Sequence, residues 1–97
     1  MSMLFVTEFA AVALGVAAEP ELASQTVEVS KESTQSQAFT KDTVYVRLHA
    51  LEACHVVFGR DPKADYNVHR RIEAGQTEYF SVPKGDAFKV AVVESVW

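Results

Sequence analysis

The feature that most constrains the fold is an alternation of side chains with a period of two in the second half of the chain. Residues 43–51 read TVYVRLHAL, and residues 54–58 read CHVVF. In the first run, valine, leucine and alanine alternate with Tyr45, Arg47 and His49. β-Branched and aromatic residues that alternate with a period of two indicate strands with one buried face. The pattern therefore predicts two successive half-buried strands.

Similar runs recur about every ten residues, which is the spacing of strands in sandwiches and small barrels. Further strands are expected at 26–30, 67–72, 77–82 and 87–93. The polar run 31–37 is expected to be a loop, residues 38–39 a short strand or a core anchor, and Gly75 a turn residue with positive φ. This series favours an all-β fold, a small antiparallel β-sandwich or a jelly-roll-like barrel with an extended N-terminal arm.

The chain is expected to divide into an apolar N-terminal segment, 1–24, and a β-sandwich domain, 25–97. Two interpretations of the first segment stay open: it is the first strand of the domain, or it is an arm that docks on a neighbouring subunit. The arm interpretation expects the domain to fold without residues 1–10. The residues then expected to contact a partner are Leu4, Phe5, Phe9 and Trp97.

The apolar start also allows a secretory signal peptide cleaved near Ala18. A signal peptide begins with a positively charged region, but no Lys or Arg precedes Lys31, and Glu8 directly adjoins the apolar run. The run is about ten residues long, whereas a membrane-spanning helix needs roughly twenty. We therefore expect no membrane partner, and a secreted carbohydrate-binding β-sandwich module stays open as an alternative.

The distribution of charge argues against nucleic acid as a partner. The chain has 9 Lys and Arg against 13 Asp and Glu, which gives a formal net charge of −4. Residues 1–30 contain four Glu and no Lys or Arg, so they hold the whole acidic excess. Binding to phosphates requires a basic surface, and the one adjacent basic pair is Arg70 and Arg71.

Few residues are of catalytic or metal-binding type. The soft metal ligands other than thioethers are His49, Cys54, His55 and His69. They lack the two close pairs of a structural zinc site, and Cys54 and His55, as neighbours on a strand, point to opposite faces. We expect a buried thiol and three histidines at the surface or at an interface. No catalytic residue, metal or cofactor is therefore expected.

Four aromatic residues carry the sugar-binding alternative. Tyr45, Tyr66, Tyr79 and Trp97 would together offer a platform on which sugar rings stack. An outward-facing aromatic residue on a sandwich is equally typical of a contact with another subunit. Both interpretations of these aromatic residues stay open.

Three segments resemble small virion proteins of tailed bacteriophages. They are FGRDPKA at 58–64, IEAGQTEYFSVPKG at 72–85, and the closing strand at 88–93. The opening MLFVTEF at 3–9 is similar to the start of such proteins. The shared features are signatures of turns and core positions, so they transfer no functional site.

The resemblance implies a non-enzymatic structural role on the phage particle. It implies a capsid decoration or cement protein, made in the host cytoplasm, that assembles as a homotrimer and stabilises the head across capsomer boundaries. The partners would be the major capsid protein and copies of the chain itself. A tail or neck adaptor, or a fibre-base component, is the alternative. The chain is short for an eight-stranded jelly roll, which favours a simpler sandwich.

Overall fold

The computed structural model describes residues 2–13, 16–17 and 21–95, and these ranges contain strands and no helix. The strands are β1 Ser2–Phe9, β2 Val12–Ala13, β3 Val16–Ala17, β4 Ala23–Val29, β5 Thr34–Gln35, β6 Tyr45–Ala50, β7 Cys54–Gly59, β8 Arg70–Ile72, β9 Thr77–Ser81 and β10 Lys89–Glu94.

Two four-stranded sheets form the body of the molecule. The first sheet has the order β4-β1-β6-β9 and the second has the order β5-β10-β7-β8. All paired neighbours are antiparallel, and β2 and β3 form a separate two-stranded hairpin. The predicted all-β, antiparallel sandwich is confirmed.

The core lies between the two sheets and is built from the alternating residues. In β6, Val46, Leu48 and Ala50 are fully buried, while the residues between them are half-buried. The second sheet faces them with Cys54 and Val56 of β7. Each buried Val or Leu side chain contributes roughly 1.5–3 kcal/mol by leaving water, so the alternation itself selects the face that turns inward.

Aromatic rings join the two sheets near one end of the core. Phe58 of β7 lies 5.0 Å from Phe80 of β9, measured between ring centroids, and 6.2 Å from Phe39. Phe39 is buried, and its backbone N–H donates to the carbonyl of Phe88. Of the two expectations for residues 38–39, the core anchor is therefore correct.

Strand β1 is an interior strand of the first sheet. It pairs with β4 on one side and with β6 on the other, and Leu4 and Val6 lie fully buried in the shared core. The first-strand interpretation therefore holds for residues 2–9, which do not form an extended arm. Ala18, the cleavage point of the signal-peptide alternative, lies outside the described residues.

Glu8 is a buried carboxylate on the core-facing side of β1. It is 2 % exposed. Its Oε1 accepts hydrogen bonds from the Thr40 backbone N–H and the Thr43 hydroxyl, both at 2.8 Å. A buried charge is tolerated only when such partners replace its hydration. The two bonds fasten β1 to the turn that precedes β6.

Two local expectations were wrong in their bounds. Strand β8 begins at Arg70 rather than at Asn67, because Asp65 starts a turn: its carbonyl accepts the N–H groups of Val68 and His69, and its Oδ1 accepts that of Asn67. Side chains such as Asp form these local bonds in competition with strand pairing. The predicted loop 31–37 contains the short strand β5, which pairs with β10. Gly75 has the expected positive φ, 78°.

Candidate functional site

The four residues expected to contact a partner lie in different surroundings. Leu4 and Phe9 are both 0 % exposed. The expectation is therefore wrong for these two, because interior side chains of the fold offer no surface to a neighbour. Phe5, on the opposite side of β1 from Leu4, is 40 % exposed. Trp97 lies outside the described residues.

The outward side of the first sheet forms a broad surface, which we call the aromatic face. Strand pairing places the following side chains on it: Met3, Phe5, Thr7 and Phe9 of β1, Ser24, Thr26 and Glu28 of β4, Tyr45, Arg47 and His49 of β6, and Thr77, Tyr79 and Ser81 of β9. These thirteen positions carry two formal charges, Arg47 and Glu28. The surface is therefore aromatic and hydroxyl-rich rather than ionic.

Ring contacts between strands organise the aromatic face. Tyr45 and Tyr79 stack with centroids 5.6 Å apart and planes at 20°. Phe5 and His49 lie opposite each other across β1 and β6, with centroids 6.3 Å apart. The His49 ring is held by a 2.8 Å hydrogen bond between its Nδ1 and the Thr77 hydroxyl. Offset pairs of this kind stabilise cross-strand packing and fix ring orientation.

Arg47 covers the innermost ring of the aromatic face. Its guanidinium carbon lies 5.3 Å from the centroid of the Phe9 ring, within the range of a cation–π interaction. Phe9 is fully buried although it points away from the core between the sheets. Phe5 and Tyr79, at 40 % and 47 % exposed, remain the aromatic residues most open to contact.

The outward side of the second sheet is covered by the chain itself. The loop 60–69 crosses it, and Ala64 packs against Val57, Ala91 and Val93. These four residues form a small apolar cluster separate from the main core. The two outer sides of the sandwich therefore differ: the loop 60–69 covers one, and the aromatic face exposes Phe5 and Tyr79 in part.

A groove of about 1020 Å³, which we call the loop groove, lies between this loop and the segment 31–35. The polar and aromatic residues that define its character are Lys31, Glu32, Asp61, Lys63, Tyr66 and His69. Tyr66 is thus on the opposite side of the sandwich from the stacked pair Tyr45 and Tyr79. These three tyrosines therefore do not form the shared platform of the sugar-binding alternative, since they do not lie on one surface.

A buried histidine and a serine meet at the end of β10. His55 is 3 % exposed, so the expectation of a surface or interface position is wrong for it. Its Nδ1–H donates to the His69 carbonyl at 2.9 Å, and its Nε2 lies 3.2 Å from the Ser95 hydroxyl. Ser95 also accepts a hydrogen bond from Arg71 Nε at 3.1 Å. Forty residues separate Ser95 from His55, and no sequence pattern relates them.

A serine beside a histidine that is oriented by an acceptor has the geometry of an activated nucleophile. Here the imidazole is buried, and the serine oxygen already accepts a hydrogen bond from Arg71 Nε. The arrangement therefore joins the end of β10 to β7 and β8. We assign it a structural role.

Cys54 is an inert thiol in the main core. It is 0 % exposed, and burial raises its pKa from 9.0 to about 11, partly opposed by the charge of Arg71. Cys54 and His55 point to opposite sides of β7, as predicted, because one lies in the core and the other beneath the loop 60–69. In the described part of the chain, no three His, Cys, Asp or Glu residues are grouped so as to hold a metal ion.

Among the described residues, no helix is long and apolar enough to cross a membrane. Comparison of the chain with protein-family models, with curated proteins and with solved structures finds no match.

Proposed function

We propose that this protein is a non-enzymatic structural component of a bacteriophage virion, a capsid decoration protein that binds across capsomer boundaries. Its partners are the major capsid protein and copies of itself, as a homotrimer on the particle surface. The observation that carries the proposal is the difference between the two outer sides of the sandwich. One side is covered by the loop 60–69, whereas the aromatic face presents Phe5 and Tyr79 at 40 % and 47 % exposed.

The composition of the aromatic face suits a protein partner. The centres of protein interfaces are enriched in Tyr, Phe, Met and Arg and are depleted of other charged residues. The aromatic face has Phe5, Tyr45, Tyr79 and Met3, with Arg47 as its one cation. A specific association buries about 1,600 Å² in total, and many symmetric copies on a shell add avidity.

The location on a virion is supported by the resemblance of residues 58–64 and 72–85 to small phage virion proteins. These segments contain structural positions of the sandwich. Phe58 and Phe80 form the ring contact between the sheets, and Gly75 and Gly85 take the positive φ of their turns. The resemblance thus concerns residues that build the fold, and the aromatic face supplies the surface for binding.

Mass spectrometry of purified virions from the phage or prophage that encodes the chain tests the location. A decoration protein is expected at hundreds of copies per particle, because it occupies the symmetric sites of the shell. Six or twelve copies would instead indicate a tail or neck component. Absence from the particle, or a mature chain that begins after Ala18, would contradict the virion proposal.

The role of the aromatic face is tested by measuring how purified variants bind to particles that lack the protein. Tyr79→Asp places a charge among the exposed rings and is expected to weaken binding at least about tenfold, since a buried unpaired charge in an interface costs several kcal/mol. Val68→Asp is the matched control, because Val68 is 73 % exposed and lies in the loop on the opposite side. Equal binding of the two variants, both folded by circular dichroism, would remove the aromatic face from the proposal.

A further inference from the structure

The loop that forms one wall of the loop groove has few free main-chain donors. The backbone N–H groups at 64, 65 and 67–69 all have partners within the chain. Ala64 N–H, for example, donates to the Ser33 hydroxyl at 2.8 Å, which ties the two walls of the groove together. A peptide strand that binds by main-chain hydrogen bonds finds no ladder along this loop. On this wall of the groove, recognition must therefore come from side chains held on a preorganised loop.

Those side chains offer both donors and acceptors. His69 Nδ1 accepts the Asp65 N–H at 2.9 Å, so the proton of the neutral ring lies on Nε2, which can donate. Asp61 accepts from the Gln35 amide through Oδ1 at 2.8 Å, and Asp65 accepts from Asn67 N–H through Oδ1. In both carboxylates the second oxygen remains as an acceptor.

The charges of the groove nearly cancel. Two ammonium groups, Lys31 and Lys63, face three carboxylates, Glu32, Asp61 and Asp65, so the sum is 2 − 3 = −1. This balance does not favour a phosphate or another polyanion, which would require a basic surface. It suits a neutral ligand that is rich in hydroxyl groups.

Tyr66 adds an aromatic surface to this polar set. It is 37 % exposed and lines the groove. An aromatic ring packs against the C–H side of a pyranose while polar neighbours bond its hydroxyls. A volume of about 1020 Å³ accommodates a ligand larger than one sugar ring. We propose that the loop groove binds a short neutral oligosaccharide, with a sugar ring stacked on Tyr66. The proposal is independent of the virion role, since it uses the opposite side of the sandwich.

Titration of the full ¹⁵N-labelled chain with maltotriose, chitotriose and sialyllactose, followed by NMR, tests this site. We expect a neutral trisaccharide to shift amide signals of residues 61–69 and to leave the aromatic face unchanged. Tyr66→Ala is expected to weaken binding at least about tenfold, and Tyr66→Phe to preserve it, because the ring carries the stacking. Tyr79→Ala, the same substitution on the opposite side, is expected to bind like the original chain.

Several outcomes would overturn the proposal. One is the absence of shifts with both neutral trisaccharides and with a wider array of neutral glycans. Others are binding of sialyllactose alone, or shifts located on the aromatic face. Unchanged affinity of Tyr66→Ala would also overturn it, provided that the loop amides of the free variant keep their positions. None of these results affects the copy number in virions, so failure of the sugar site and failure of the virion role are distinguishable.

Discussion

Cys54 connects burial to the pH dependence of stability. Its thiol has a pKa of about 11 in the folded chain because it is desolvated, against 9.0 when exposed. Between these values the unfolded chain has released the proton that the folded chain retains, so the free energy of unfolding falls as pH rises from about 9 to 11. Below pH 9 the contribution is complete.

The expected measurement is urea unfolding across pH 8 to 11 for the original chain and for Cys54→Ala. Lysine and tyrosine titrate in both proteins. The contribution of the thiol is therefore the difference between the two proteins in the slope of unfolding free energy against pH. The original chain is expected to lose stability more steeply above pH 9. Parallel slopes would show that the thiol is not desolvated.

Single residues also show where sequence reasoning succeeds. The alternation around Cys54 correctly predicted a buried thiol, since one strand fixes which side each residue faces. The same alternation placed His55 on the outer side, which is correct, but that side is covered by the loop 60–69. Whether an outward residue is exposed depends on a distant segment, and the pattern of one strand does not contain that information.

At the scale of elements, β1 is an interior strand of its sheet and not the arm that the alternative interpretation described. It has paired neighbours on both sides. Removal of residues 2–9 is therefore expected to unfold the chain, because it separates β4 from β6 and exposes the core around Leu48. The domain would not fold without residues 1–10, contrary to the arm interpretation.

A matched pair of substitutions tests the same point without deletion. Leu4→Ala is expected to cost about 2–5 kcal/mol, the usual range for a buried Leu, because Leu4 is 0 % exposed. Phe5→Ala, one residue along and 40 % exposed, is expected to cost far less. The measurement is the unfolding midpoint in urea. Similar losses for both variants would contradict the interior position of β1.

The strands with the clearest alternation were predicted nearly to their ends. Strand β7 occupies Cys54–Gly59 and β6 occupies Tyr45–Ala50, close to the segments predicted from periodicity. The order of strands was not predictable, because β1 inserts between β4 and β6, which are distant from it in sequence. Pairing between distant strands depends on the fit of whole faces. Which outward side chains of different strands share the aromatic face followed from this order and from no local pattern.

For the whole molecule, one shared core predicts one unfolding transition. The main cluster takes residues from both sheets, such as Leu48 of the first and Val92 of the second. Sheets that share their buried surface cannot unfold separately without exposing it. Far-ultraviolet and aromatic circular dichroism signals are therefore expected to change at the same midpoint.

Substitution in either sheet extends this test. Leu48→Ala and Val92→Ala are each expected to lower the midpoint of both signals together. A variant that shifts one signal and leaves the other would mean that the sheets are independent units.

Glu8 helps to fix the register in which β1 pairs with its neighbours. A shift of β1 by one residue against its neighbours would turn Leu4 and Val6 outward and bring Phe5 inward. Because Phe5 is also apolar, this exchange alone penalises the shifted register only in part. The same shift would pull the carboxylate away from Thr40 and Thr43, the two donors that hold it. Glu8 therefore favours the correct register of β1, since only that register leaves its carboxylate with both hydrogen-bond donors.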